Sequence, residues 1–289
     1  PMTTTTQIKG KKNCVLDIAT TEVVSVPPTM TIIEGLAKMS THNFRRLPLT
    51  DAGTGKLLGI VTVTDVIDLM GGGNRFNLVA NKHKGNLLAV FNDEIRSIST
   101  EAVDGLSASA TIREAAEKLI ETGHGSFPIV AADNTLAGIV TEYDIMKVLA
   151  SEDSNTLVSE VMTKNPQVVT PDVPLCKVTR MMVTHGFRRL PVVKDGFLLG
   201  IITATDIMKY LGDGRVFSDM EQGKADEILM IPVREIMTAA DIKTVTSSTS
   251  VADAAKLMLE YGVGVFPVLD GDELSGIVTE FDLVKALAE

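Results

Sequence analysis

An α/β fold made of four strand–helix–strand–strand–helix repeats is predicted by three observations. The first is a wording that recurs four times. Phe44-Arg45-Arg46-Leu47-Pro48-Leu49, followed by Leu58-Gly59-Ile60-Val61-Thr62-Val63-Thr64-Asp65, returns as Phe187-Arg188-Arg189-Leu190-Pro191-Val192, followed by Leu199-Gly200-Ile201-Ile202-Thr203-Ala204-Thr205-Asp206. Fainter copies run Gly125-Ser126-Phe127-Pro128-Ile129 with Gly138-Ile139-Val140-Thr141-Glu142-Tyr143-Asp144, and Gly264-Val265-Phe266-Pro267-Val268 with Gly276-Ile277-Val278-Thr279-Glu280-Phe281-Asp282. The second is the order of short apolar runs and helical spacings, which is the same in every copy. The third is that the connectors pair up: Met70-Gly71-Gly72-Gly73-Asn74-Arg75-Phe76 resembles Leu211-Gly212-Asp213-Gly214-Arg215-Val216-Phe217, while repeats two and three are joined directly. The larger unit is therefore a pair of repeats, occurring twice. One repeat alone, two helices on a small sheet, cannot bury both sheet faces.

Residues 1–16 are polar, with Thr3 to Thr6 in a row and Lys9, Lys11 and Lys12 after them, and read as a flexible tail. Repeat one spans 17–72. Val23, Val24 and Val26 predict a short strand stopped by Pro27-Pro28. Thr31 with Glu34 three residues on is a capping box. Ile32, Ile33, Leu36 and Met39 then fall at helical spacing, so this helix buries one face. Leu47-Pro48-Leu49 is a second strand, Asp51 to Gly55 a turn, and Leu57 to Val63 a third strand. Asp65 opens a second helix that stops at Gly71-Gly72-Gly73. A connector (73–95) leads to repeat two (96–150), whose helix opens at Thr111-Ile112-Arg113-Glu114 and whose hairpin turns at Asp133-Asn134. Repeat three (158–211) turns at Lys194-Asp195-Gly196. A second connector (212–233) leads to repeat four (234–289), which turns at Asp270-Gly271-Asp272.

Composition narrows the function. At 45% apolar and 22% charged residues, the chain can build a core and is not disordered. A net charge of -10 argues against nucleic acid or an anionic membrane as the main partner, since both reward a basic face. It leaves room for a small anion held by a few local cations. Cys14 and Cys176 have neither disulfide nor metal spacing. No secretory signal and no apolar run of ~18 residues is seen, so a cytoplasmic location is expected. No Ser or Cys stands in an elbow motif. His42, His83, His124 and His185 lack metal spacing, and no phosphate-binding loop is found. A non-catalytic protein is expected, with no metal and no obligatory cofactor.

The residues with chemical meaning sit at two places in each repeat. Thr62 and Asp65, Thr141 and Asp144, Thr203 and Asp206, and Thr279 and Asp282 share the spacing Thr-x-x-Asp at a strand-to-helix junction. This is a helix cap, and a carboxylate there suits the helix dipole. It is also where an ionised carboxylate can accept two hydrogen bonds from a vicinal diol, so capping and binding are compatible. Arg45-Arg46 and Arg188-Arg189 enter a strand just before an apolar run. Adjacent strand residues face opposite ways, so one arginine of each pair points toward the helix and sheet. Guanidinium forks match phosphate oxygens bidentately. Repeats two and four carry Gly125-Ser126 and Gly264-Val265 in these places and have no cation there. Thr20, Thr100, Thr163 and Thr238 align at the entry to each first strand, where β-propensity alone also favours them.

Taken together, each repeat resembles a CBS domain, the module named after cystathionine β-synthase. The Leu-Pro-Val strand, the Gly-Ile-Val-Thr-x-x-Asp ending and the element order carry the likeness over about residues 17–288. With Arg-Arg-Leu-Pro and the Gly-rich connectors, the chain looks like archaeal four-CBS proteins similar to the γ subunit of AMP-activated protein kinase. The resemblance implies two Bateman modules packed as a disk. It implies binding of an adenine nucleotide (AMP, ADP or ATP) as a regulatory ligand and a role as a cellular energy sensor. It also implies site residues: Arg45, Arg46, Thr62, Thr64 and Asp65 with Thr100, and equivalently Arg188, Arg189, Thr203, Thr205 and Asp206 with Thr238. The aspartate takes the ribose and the basic pair takes the phosphate. The even repeats depart from the pattern, with Tyr143 and Phe281 before Asp. Their weaker sites are Thr141 and Asp144 with Thr20, and Thr279 and Asp282 with Thr163. The expected partners are adenine nucleotides, a protein effector that takes the output, and a second copy of the chain as a homodimer. Two alternatives stand beside this: a binder of S-adenosylmethionine or methylthioadenosine, which the arginine pairs disfavour, and an interaction scaffold whose aspartates only cap helices.

Overall fold

The computed structural model describes residues 14–151, 154–214 and 224–288. Repeat one carries α1 (Ile32–His42), β1 (Arg46–Thr50), β2 (Leu57–Thr62) and α2 (Val63–Met70). The connector holds a π-helical turn (Leu78–Lys82), α3 (Leu87–Phe91) and a 3-10 turn (Ile95–Ile98). Repeat two follows with β3 (Leu106–Ser107), α4 (Ile112–Thr122), β4 (Ser126–Val130), β5 (Leu136–Thr141) and α5 (Glu142–Leu149). Repeat three opens with α6 (Val158–Val161) and β6 (Thr163–Lys164), then α7 (Leu175–His185), β7 (Arg189–Lys194), β8 (Phe197–Thr203) and α8 (Ala204–Gly212). After α9 (Ala225–Leu229), repeat four adds α10 (Val251–Tyr261), β9 (Val265–Asp270), β10 (Glu273–Thr279) and α11 (Glu280–Ala288).

Local sequence explains most of these boundaries. The predicted capping boxes at Thr31–Glu34 and Thr111–Glu114 are both formed. Each hairpin is an antiparallel pair, and the two-residue turn Asp195-Gly196 takes φ of 53° and 87°. Two successive positive φ values are the type I′ geometry that suits strand twist, and Gly adopts it without strain. The expected strand at Val23–Val26 is not formed. Val26 alone bridges Leu49, with Val26 N–H donating to the Pro48 carbonyl (3.0 Å) and Thr50 N–H to the Val26 carbonyl (3.0 Å). Pro27 and Pro28 then remove the donors a longer ladder would need. The tail also starts folding earlier than expected. Residues 1–13 lie outside the described residues, but Val15 is fully buried and Cys14 bridges Thr111. Arg215 to Phe217 of the second connector also lie outside the described residues.

The chain divides into two compact units, and each takes alternate repeats. One unit is Val24–Val103 with Gln167–Ile242 and so holds repeats one and three. Its core joins Leu36 and Met39 of α1, Leu69 of α2, Met182 of α7 and Leu211 of α8. Helix ends approach closely there. A Cβ on Gly71 would lie 2.5 Å from the Thr179 carbonyl oxygen, and one on Gly212 2.5 Å from that of Leu36. The other unit holds repeats two and four, with a core that includes Leu119 of α4, Met146 of α5, Met258 of α10 and Val284 of α11. Six residues after the motif aspartate, where repeats one and three have Gly71 and Gly212, this unit has Ala150 and Ala288. Ala150 is buried in its core, and Ala288, partly buried, packs against it.

Candidate functional site

Every helix that follows the last strand of a repeat begins with the same reciprocal cap. The Thr62 backbone N–H and hydroxyl donate to Asp65 Oδ2 at 2.7 and 2.9 Å, and Asp65 N–H donates back to Thr62 Oγ1 at 3.4 Å. Thr203 and Asp206 repeat this at 2.8, 2.6 and 3.1 Å. Thr141–Asp144 and Thr279–Asp282 do the same. The capping expectation holds at all four junctions. The cap occupies one carboxylate oxygen, Oδ2. In three repeats Oδ1 is engaged differently: Asp65 Oδ1 meets Arg75 Nη2 at 2.7 Å, Asp144 Oδ1 meets Lys147 Nζ at 3.0 Å, and Asp206 Oδ1 accepts from Thr238 Oγ1 at 3.2 Å. A helix cap and a ligand contact would therefore use different atoms of one side chain.

The aligned threonines arrive beside these carboxylates through backbone pairing. Thr238 exchanges both backbone hydrogen bonds with Ile201 at 2.9 Å, two residues before Thr203. Thr100 pairs in the same way with Ile60, Thr20 with Ile139 and Thr163 with Ile277. Each repeat thus lends its leading segment to the sheet of the repeat it was expected to pair with. The motif glycine makes this possible: a Cβ on Gly200 would lie 2.8 Å from the Thr238 carbonyl oxygen. All four threonines are exposed.

The arginine pairs stand across the hairpin ladder from the cap. Arg46 is in register with Thr62 and Arg189 with Thr203. The Arg45 carbonyl accepts from Val63 N–H at 3.0 Å and the Arg188 carbonyl from Ala204 N–H at 2.9 Å, so the pair is tied to the first turn of the following helix. All four arginines are half-buried. In the even repeats Ser126 faces Thr141 and Val265 faces Thr279 in the same register. Thr64 is exposed and Thr205 half-buried, each on the first turn of its helix. His42 stacks on Phe44 at 5.0 Å and His185 on Phe187 at 5.2 Å, just ahead of the arginines.

Burial dominates the electrostatics. It raises the Asp65 carboxyl pKa, opposed by the nearby Arg75 and by the Thr62 hydrogen bonds. It raises that of Asp206, opposed by Thr203 and Thr238. Their folded values thus lie above the unfolded ones. The stability they contribute is fully present below the unfolded value and is lost as pH rises through the folded one. At neutral pH the fold holds both carboxylates ionised at a cost. Such groups cluster where a charge has work to do.

Sequence reasoning did not assign roles to Arg75 or Lys147. Lys147 lies one helical turn past Asp144, a spacing that could have flagged it. Arg75 gave a weaker signal: each connector carries one arginine just after its glycines, but Arg75 aligns with Val216 and Arg215 with Asn74.

Comparison with known proteins follows the same repeat boundaries. The CBS domain family matches residues 15–72, 95–151, 158–213 and 233–289. The chain is 39% identical over 269 residues to the protein MJ1225 of Methanocaldococcus jannaschii, covering 92% of this chain and 96% of that one. The crystal structure of MJ1225, described as that of a candidate archaeal homolog of g-AMPK, superposes with a TM-score of 0.88 over 94% of this chain and 99% of that one. A 33.4 kDa protein encoded in a ribosomal RNA operon of Thermofilum pendens is 27% identical over 91% of this chain and 87% of its own. A conserved protein from Pyrococcus horikoshii, at 22% identity and a TM-score of 0.58 over 95% of this chain and 99% of that one, shares the fold.

Proposed function

The chain belongs to the CBS domain family, and from that premise we propose that it is a non-catalytic sensor of adenine nucleotides. CBS domain pairs are regulatory ligand-binding modules. The proposed ligand is AMP, ADP or ATP. The observation that carries this reading is the third-repeat site, where Asp206 Oδ1 and Thr238 Oγ1 stand 3.2 Å apart beside a half-buried arginine pair. A ribose diol fits the carboxylate, and a phosphate fits the Arg188 and Arg189 guanidinium groups with Thr203 and Thr205. The first-repeat site offers Arg45, Arg46, Thr62, Thr64, Asp65 and Thr100 in the same roles. The likeness to MJ1225, with its description as a candidate g-AMPK homolog, supports the reading. Charge-assisted hydrogen bonds contribute roughly 1.5–3 kcal/mol each. A few of them, less ordering costs, suit a micromolar ligand at about -8 kcal/mol. The signal would pass to a protein effector or a second copy of this chain.

Isothermal titration with AMP, ADP and ATP, and S-adenosylmethionine as competitor, tests this. Displacement of AMP by S-adenosylmethionine at equal concentration would favour a ligand without phosphate. No heat with any of the four would leave a scaffold.

Two further outcomes are expected. Nucleotide should raise the melting temperature, and the rise should shrink between 0.05 and 0.5 M salt, because phosphate–guanidinium attraction is screened. A rise that does not depend on salt would remove the arginines from the phosphate role. Affinity should also fall on acidification, starting above the ordinary aspartate range of about 3.9, because the carboxyl pKa of Asp206 is raised and only its ionised form accepts both diol hydrogens. An affinity that stays flat down to that range would mean the ribose is held elsewhere.

A further inference from the structure

Arg75 is the cation of the first connector, and its side chain ends inside the first site. Its backbone N–H donates to Asp68 Oδ2 at 2.8 Å, and its Nη1 lies 3.5 Å from the same oxygen. Nε donates to the Ile98 carbonyl. Nη2 then reaches Asp65 Oδ1 at 2.7 Å and Thr100 Oγ1 at 3.3 Å. One guanidinium nitrogen thus covers both oxygens that a ribose would approach. Asp65 Oδ2 is already committed to the helix cap. What distinguishes Asp65 from Asp206 is that a guanidinium, not a small hydroxyl, stands on Oδ1, so a diol and Arg75 compete for the same approach to that oxygen. The cap is the less replaceable partner, since its loss exposes a helix end.

We propose that Arg75 is a removable latch on the first site, so that a nucleotide at Asp65 and the latched arginine exclude each other. This rests on the nucleotide reading above. The arginine side chain can swing out while Phe76, Leu78 and Val79 keep the connector packed on the core. The Arg75 side chain is 24% exposed, and it follows Gly71-Gly72-Gly73, where Gly72 has a φ of +81° and open space around it. Occupancy is then reported twice, by the ligand in the cleft and by a guanidinium set free at the surface. The apparent affinity of the first site is its intrinsic affinity multiplied by the unlatched fraction.

The test uses the full chain carrying Asp144→Asn, Asp206→Asn and Asp282→Asn, which keeps an oxygen at each cap while weakening the other three sites. In that background Arg75→Ala and Arg75→Gln should each bind AMP roughly tenfold more tightly in titration calorimetry. Weaker binding would make Arg75 a ligand contact, and unchanged binding would make it a structural tie; either overturns the latch. Asp65→Ala in the same background separates the two readings. If it leaves AMP binding intact, the nucleotide assignment of this site fails. If it abolishes binding while the Arg75 variants stay unchanged, only the latch fails. Should the Arg75 variants not fold, hydrogen exchange of the unsubstituted protein decides. AMP should speed amide exchange over residues 73–75, where the Arg75 N–H is held by Asp68 Oδ2, and slower or unaltered exchange there overturns the proposal.

Discussion

Asp206→Ala is expected to weaken AMP binding at the third-repeat site by tens to about a hundredfold, read by titration calorimetry. The proposed contact is a pair of diol hydroxyls on one ionised carboxylate, and losing charge-assisted hydrogen bonds of this kind costs ~2–3 kcal/mol. The substitution also removes a helix cap, since Asp206 Oδ2 accepts from Thr203. That loss costs about 1 kcal/mol of stability and clouds the result. Asp206→Asn separates the effects. The amide oxygen can keep the cap, while the negative charge is gone. Burial holds the ionised form of Asp206 at a disadvantage, so the Asn variant should melt no lower than the parent at neutral pH. The difference should close as the parent protonates on acidification. Weaker binding in a protein of equal or higher stability would be the mark of a binding carboxylate. Unchanged binding in both variants would reduce Asp206 to a cap.

Gly212→Val is expected to disrupt the unit that holds repeats one and three. The added Cβ would lie 2.5 Å from the Leu36 carbonyl oxygen, 2.9 Å from its carbon and 3.0 Å from Ser40 Cβ. Two of these atoms belong to the backbone of α1 and cannot rotate away. Overpacking a core of this kind costs about 1–3 kcal/mol, and more when whole helices must separate. Gly212→Ala should already lower the urea midpoint, and the valine variant should lower it further. The strain is purely steric, because Gly212 is the last residue of a regular helix. An alanine variant as stable as the parent would show that α1 and α8 can slide apart.

Much of the fold could be read before any coordinates, because the repeats restate one another. Where four copies agree on Thr-x-x-Asp, the local chemistry is over-determined, and all four caps form. The alignment of Thr20, Thr100, Thr163 and Thr238 marked equivalent positions, but that each lies against the partner repeat came only from the family resemblance. Long-range features were less legible. Val23 to Val26 has strand propensity, but a strand needs a partner with free donors, and only Val26 finds one. Residues 14–16 looked like tail because their partner, Ala110, which accepts from Val15 N–H at 2.9 Å, lies far along the chain. Arg75 was visible only as one cation in a glycine-rich connector, and its target could not be guessed. Nothing local ties it to Thr100, twenty-five positions away. Adjacent repeats exchange their leading segments as the pairing expected, while the two compact units, each taking alternate repeats, were not foreseen.

That alternation has a chemical counterpart one carbon atom in size. Repeats one and three end their second helix on Gly71 and Gly212, pressed against main-chain oxygens of the opposing helix, whereas the even repeats end on Ala150 and Ala288. A methyl group in the space that accepts the glycines would lie 2.5 Å from the Thr179 or Leu36 carbonyl oxygen, so an even-repeat helix would fit the odd-repeat core only by forcing its helices apart. Mixed pairing of the near-copies during folding is thereby disfavoured: a bare α-carbon marks the helices that fit one core.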